Sequence, residues 1–311
     1  MNQVVNKFSK SSVLGMKAKL VALGLATGLA LSLTACGGGA SKTGSVVSYD
    51  ISKLKADPEI AALVPAENQE SLKVAMDIPY SPAEFFDENN QAVGYEVDAL
   101  KALAKIMGVK NIVIADEDFD ALIPMVNEGD YDMIVASMTL TKERMKSINL
   151  VAYVQAGYIY ATQAGNPKNF DYADPCGFKV GTQADTSQAE MLQATNDACA
   201  AEGKQPLTIV ADPDQDKLVA QVVDGSLDAV IGESPMMKFA EVNNEQFETV
   251  GEVLGVVPQG MATAKGNEAL AKAVQAGLQK MMDDGTLKEV FKPWGQDSIV
   301  LNFATLNPPI M

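Results

Sequence analysis

Short apolar runs alternate with segments of helical periodicity from Leu72 to about Met281, and that alternation predicts an α/β protein. Leu72 to Met76 reads as a strand, and Glu96 to Met107 as a helix with Val97, Leu100, Leu103, Ala104 and Met107 on one face. Ile112 to Ala115 is a strand; Phe119 to Asn127 is a helix that tolerates Pro124 near its start. Met133 to Ala136, four apolar residues bounded by polar ones, predicts a buried strand. After Val151 to Tyr160 the pattern resumes with a strand at Lys179 to Thr182, a helix at Ser187 to Ala201 and a strand at Leu207 to Val210. A helix at Asp214 to Val223 and a strand at Ala229 to Ile231 follow. A long late helix carries Ala269, Leu270, Ala273, Val274, Leu278 and Met281 as its core face and ends at Asp284-Gly285. Ahead of Leu72, Asp57 to Val64 opens on Asp-Pro and reads as one short helix.

The strand at Met133 is followed at alternate positions by Ser137, Thr139 and Thr141, then by a charged segment in which Arg144 begins a helix. Open α/β sheets bind ligands at the carboxyl ends of their strands. There a guanidinium presents a planar fork to a carboxylate, and a helix start adds unpaired backbone N–H donors. An ordinary strand–loop–helix connection, with Thr141 as N-cap and Arg144 in solvent, has the same pattern. The apolar spacing does not separate the two.

Composition narrows the function classes. The 311 residues suffice for two lobes with cores of their own. Twenty-four basic against forty acidic residues give a formal charge of −16, which argues against nucleic acid as a partner. The absence of histidine removes Ser–His and Cys–His nucleophilic dyads and the usual zinc sites, and no cofactor motif replaces them. At the start, Lys7, Lys10, Lys17 and Lys19 form a basic region before the apolar stretch Leu20 to Leu33, as in a secretory signal, and Met16 is a second candidate start. Leu33-Thr34-Ala35-Cys36 resembles a bacterial lipobox, which implies lipidation of Cys36 and a membrane anchor. Residues 37–48, rich in Gly, Ser, Lys and Thr, read as a flexible tether.

Four stretches in order carry a wider resemblance: LKVAMDIPYSPAEFFDENNQAVGYEVDALKALAKIMG, DFDALIPMVNEGDYDMIVASMTLTKER, DAVIGESP and DDGTLKEVFKPWG. From about Leu72 to Gly295 the chain resembles the family-3 extracellular solute-binding proteins, the receptors of ABC importers for polar amino acids. The resemblance implies a periplasmic-binding-protein-like type II α/β fold, in which two lobes joined by a two-strand hinge enclose a ligand cleft. It implies this layout: a signal peptide at 1–35, a lipidated tether and short helix at 36–71, lobe 1 at 72–156, lobe 2 at 157–256, and the rest of lobe 1 with a tail at 257–311. The expected partners are a small zwitterion and an ABC transporter permease.

The same resemblance assigns the site. Arg144 is expected to hold the ligand carboxylate, with Ser137 and Thr139 as further donors, and Tyr80 and Phe119 as aromatic walls. Asp77, at the end of the first strand, faces a cationic side chain or caps a turn. In the second lobe Gln183, Thr186 and Ser187 lie on a loop before a helix, with Thr186 and Ser187 offering N–H and hydroxyl donors. Asp185 replaces a glycine there. Glu233 stands where the family has an aspartate that grips the α-ammonium, and Ala83 stands where relatives carry a second aromatic, leaving room for a larger side chain. Cys176 and Cys199, in an oxidising compartment, are a candidate disulfide, or a pair of buried thiols. Two alternatives share the fold: a cyclohexadienyl dehydratase-like enzyme using Glu233 as general acid, and a sensor input.

Overall fold

The computed structural model describes residues 48–309. The leader, Cys36 and residues 37–47 of the tether lie outside the described residues. Asp57 caps the first helix, α1 (Pro58–Ala61), by accepting from Glu59 N and Ile60 N, with proline at the first helical position. This helix stops at Ala61 rather than continuing to Val64, and a separate turn, α2 (Ala66–Gln69), follows Pro65.

The next elements are β1 (Ser71–Met76), a two-stranded hairpin of β2 (Phe85–Phe86) and β3 (Ala92–Val93), α3 (Tyr95–Ile106), β4 (Asn111–Asp116), α4 (Leu122–Glu128), β5 (Met133–Thr139) and α5 (Arg144–Ser147). Two long strands come later, β6 (Ile148–Gln163) and β10 (Phe247–Ala264). Between them lie β7 (Lys179–Gln183), α6 (Ser187–Ala201), β8 (Thr208–Asp212), α7 (Gln215–Val223), β9 (Ala229–Glu233) and α8 (Ser234–Asn243). The chain closes with α9 (Glu268–Asp283), α10 (Thr286–Phe291) and β11 (Val300–Leu306).

Nine of these strands form one sheet in the order β4-β1-β5-β10-β6-β9-β7-β8, with β11 paired to β6. On one side β1 is parallel to β4 and β5; on the other β7 is parallel to β8 and β9. The antiparallel pair β6–β10 serves both. Its Ile148–Val154 end pairs with Gln259–Ala264 beside β5, and its Tyr158–Gln163 end lies beside β9. The pairing of the two strands slips between Val250 and Leu254, between Leu254 and Val257, and between Gln259 and Gly260. Such breaks in a ladder bend and twist it locally.

The core follows the predicted faces. Val97, Leu100, Leu103, Ala104 and Met107 are all buried on α3, and so are Leu270, Ala273, Val274, Leu278 and Met281 on α9. Ala269 is exposed instead, and Ala271 is buried in its place. The predicted helix from Phe119 is two elements: a 3-10 turn at Phe119–Ala121 runs into α4, where Pro124 sits in the first turn and no backbone N–H is wanted. Gly94 precedes α3 with φ +137°, and a Cβ there would come within 2.0 Å of the Ala83 carbonyl oxygen. That contact packs the turn Ile78–Glu84 onto the start of α3. Ala83 is therefore buried against backbone, does not line the cavity described below, and opens no room for a ligand. Cys176 and Cys199 are bridged, with Cα atoms 5.7 Å apart.

Candidate functional site

In each half of the sheet the carboxyl ends of parallel strands converge on one cavity, about 260 Å³ of space between atoms that includes its opening to solvent. Its lining contains all ten side chains expected from the sequence: Asp77, Tyr80, Phe119, Ser137, Thr139, Arg144, Gln183, Thr186, Ser187 and Glu233. Asp77 follows β1, Ser137 and Thr139 end β5, Gln183 ends β7 and Glu233 ends β9.

Arg144 is the cation of this cavity. Its Nη1 donates to the Thr139 carbonyl at 3.0 Å and its Nη2 to the Asp185 carbonyl at 3.3 Å, so one guanidinium touches both halves of the sheet. Its Cζ lies 5.1 Å from the centre of the Phe119 ring, within cation–π range. Thr141 Oγ1 accepts from the Arg144 N–H, but the N-cap position of α5 is Glu143, and the Arg144 side chain lines the cavity rather than standing in solvent. Burial lowers the Arg144 pKa, against the opposing influence of Glu190, Tyr158 and Glu233. It stays charged at any physiological pH.

Two carboxyls face it. Asp77 Oδ2 accepts from Gln183 Nε2 at 2.7 Å, a second bond across the cavity, so Asp77 looks across the cleft rather than capping its own turn. Burial raises its pKa to about 7; the Gln183 bond opposes this, while Asp116, Asp118 and Asp214 add to it. Glu233 is 3% exposed, and its Oε2 has no hydrogen-bond partner. Burial raises its pKa to about 8, with Glu96 adding and Gln259 and Arg144 opposing. A carboxyl so placed is neutral at pH 7 until a cation arrives.

The loop before α6 departs from expectation in one respect. Thr186 caps α6: its hydroxyl accepts from Ala189 N at 3.2 Å and donates to the Gln183 carbonyl at 2.8 Å. It is committed to the fold and is not a free donor. Ser187 Oγ lies 2.8 Å from Tyr158 Oη. What this helix start offers the cavity is its backbone N–H groups, which have no acceptor within the helix. Asp185 adopts φ +58°, the left-handed region that favours glycine. Its side chain is exposed, so the negative charge points away and only its carbonyl meets Arg144.

Gln188, 2% exposed, and Ala136 also line the cavity, and neither was anticipated. Gln188 sits in the first turn of α6, where a polar residue reads as solvated unless the loop is known to face a cleft. Glu96, Glu84 and Gln259, all buried behind the lining, were missed as well. Among the described residues no group of His, Cys, Asp and Glu is arranged to hold a metal ion.

The family model of the bacterial extracellular solute-binding proteins, family 3, matches residues 72–297. The chain belongs to that family. This solute-binding protein is 28% identical to the arginine-binding protein ArgT of Corynebacterium glutamicum over 254 residues, 80% of this chain and 83% of the relative. Among solved structures, an ancestral arginine-binding protein bound to arginine superposes with TM-score 0.66 at 28% identity, covering 73% of this chain and 99% of that one. The ancestral amino acid-binding protein AncCDT-1, a precursor of cyclohexadienyl dehydratase, superposes with TM-score 0.67 at 25% identity, covering 75% and 99%. These are type II periplasmic-binding-protein-like folds, and the curated relatives are substrate-binding proteins rather than enzymes. No helix among the described residues is long and apolar enough to cross a membrane.

Proposed function

We propose that this solute-binding protein captures an α-amino acid with a basic side chain and delivers it to the permease of an ABC importer. The charge inventory of the cavity carries the reading. One fixed cation, Arg144, stands with two carboxyls, Asp77 and Glu233, and the complementary ligand has one anion and two cations. In this reading Arg144 receives the α-carboxylate beside the Thr139 and Ser137 end of β5 and the N–H groups opening α6. Glu233 receives the α-ammonium, and Asp77 receives the side-chain cation, releasing the Gln183 amide. Asp118 and Asp214, close enough to raise the Asp77 pKa, extend the negative potential outward from that end. Tyr80 and Phe119 provide apolar walls. The lobes expected from the sequence fit this use, with β6 and β10 as the strands that cross between them and the ligand stabilising closure by its preference for the closed form.

A thermal-shift screen tests the reading. A ligand that binds only the folded state at a hundred times its Kd stabilises it by about 2.7 kcal/mol, which is several degrees in melting temperature. L-arginine and L-lysine are expected to give the largest shifts of the common amino acids, and L-glutamate none. A larger shift with a neutral or acidic amino acid would reject the basic side chain.

We further infer from the Leu33–Cys36 motif that the protein is anchored through acyl chains on Cys36. Replacing Cys36 with serine is expected to move the protein from the membrane fraction to the soluble one. Unchanged fractionation and mass would reject the anchor.

A further inference from the structure

Ser137 is the last but two of the residues of β5 and has φ +45°, a left-handed conformation that a serine adopts at a cost. It is 3% exposed and lines the cavity, and its own hydroxyl is buried close to the Glu96 carboxyl and the Tyr95 hydroxyl. Something outside the strand has to hold it in that conformation. The left-handed turn sends its backbone N–H away from the sheet ladder and into the protein, where it donates to Glu96 Oε2 at 2.7 Å. The other oxygen of the same carboxyl, Glu96 Oε1, accepts from the Tyr153 hydroxyl.

Glu96 is thus a single buried acceptor between three elements: the first turn of α3, the end of β5 and the long strand β6. Its own N–H is tied to the Ala83 carbonyl at 3.1 Å, which fixes where the side chain starts. Bonds to a buried carboxylate are stronger than those between neutral groups, and a short, satisfied acceptor leaves little freedom to the donor. The neighbouring acid, Glu84, is wholly buried; burial and the nearby Glu96 raise its pKa well above the usual range, and its carboxyl lies within hydrogen-bond reach of Glu96, to which a protonated Glu84 donates. Burial raises the Glu96 pKa too, but the hydrogen bonds from Tyr153 and Ser137 oppose that rise, whereas nothing opposes it at Glu84.

We propose that Glu96 is a positioning residue for ligand capture: by accepting the Ser137 N–H it locks the left-handed turn, so that the end of β5 meets the bound solute in one conformation. This rests on the reading of the cavity as an amino acid site, but its first test does not. In ligand-free, isotope-labelled protein, the Ser137 amide is expected to exchange with solvent at least a hundredfold more slowly than an unprotected amide, although the sheet supplies it with no acceptor. An unprotected Ser137 amide would overturn the proposal. This measurement uses the wild-type protein, so it stands whether or not a variant folds.

The second test is a double-mutant cycle read by calorimetric titration with L-arginine. Glu96→Gln is expected to raise Kd about tenfold in the wild-type background and less than threefold in a Ser137→Gly background, where the left-handed turn needs no lock. A role of Glu96 in general stability would give equal factors in both backgrounds, and equal factors would overturn the proposal. Glu96→Asp, whose shorter arm keeps the charge but not the reach to both donors, is expected to fall between wild type and Glu96→Gln. If wild-type protein fails to bind L-arginine, the basic amino acid reading fails, and Ser137 exchange still decides the role of Glu96.

Discussion

Replacing Arg144 with alanine is expected to weaken amino acid binding by about 3–5 kcal/mol, more than two orders of magnitude in Kd. The size comes from the setting. The guanidinium is half-buried, sits over the Phe119 ring and is oriented by two carbonyls, so its remaining donors are fixed in place. A ligand carboxylate brought into the cavity without it would exchange its hydration for a site that still holds two carboxyls, and would sit there unpaired. The fold loses little, because the two hydrogen bonds removed are each worth about 1 kcal/mol and the side chain is not part of a packed core. Titration calorimetry on a variant with an unchanged denaturation midpoint checks both halves of the statement. A Kd within tenfold of wild type would remove Arg144 from the carboxylate role.

Glu233 is expected to make binding depend on pH, with a definite sign. Its oxygen without a partner and its complete burial hold the proton on until about pH 8 in the absence of a cation. The groups around it are Gln259, Glu96, Arg144, Tyr80 and Glu84, and only Arg144 is a positive charge. A ligand ammonium binds the ionised carboxylate, so at pH 7 binding releases a proton. Affinity therefore rises as pH rises from 6 to 8 and levels off above the pKa of about 8. Below that value it falls by up to about tenfold per pH unit for this one group. Asp77, with its pKa at about 7, adds to the slope below pH 7 when the ligand carries a side-chain cation. Glu233→Gln is expected to lose about 2 kcal/mol or more at pH 8 and to flatten the profile between pH 7 and 8. Glu233→Asp, which restores the family's usual residue, is expected to be milder. A wild-type profile flat between pH 6 and 8 would mean that Glu233 does not meet the ammonium. A Gln variant that binds as tightly as wild type at pH 8 would mean the same.

The stretch Ser137 to Arg144 and the place of Asp77 were legible as strand ends, whereas Tyr80, Phe119, Gln183, Thr186, Ser187 and Glu233 were expected from the family resemblance alone. Ser137 and Glu233 follow the runs MIVA and AVIG, the clearest signal a short strand gives, while Lys73 breaks the run before Asp77 and Thr182 precedes Gln183. What the runs do not carry is distance along the sheet. The strand β10 contains Gly251, Gly255 and Pro258, which punctuate the sequence like loops, yet it spans eighteen residues because β6 pairs with it from end to end. Helix α10 and strand β11 are short and buried against elements far away in sequence, and α8, though longer than α7, opens on Ser-Pro-Met-Met without a clear helical period; none of the three is in the sequence reading. Glu96 was hidden for another reason. An acid in the first turn of a helix is ordinarily explained by the helix dipole, and only the left-handed Ser137 explains why this one is buried.

Thr186 joins two jobs in one hydroxyl. It walls the cavity, and it caps α6. Removing an N-cap of this kind costs a helix about 1 kcal/mol, whatever the replacement does for a ligand. Ser187 beside it carries no such duty, since its hydroxyl meets only Tyr158 and Gln188. Sequence drift that retunes which solute is accepted therefore meets unequal resistance at adjacent positions. Position 187 is free to sample new side chains, while position 186 is confined to the few that can still cap.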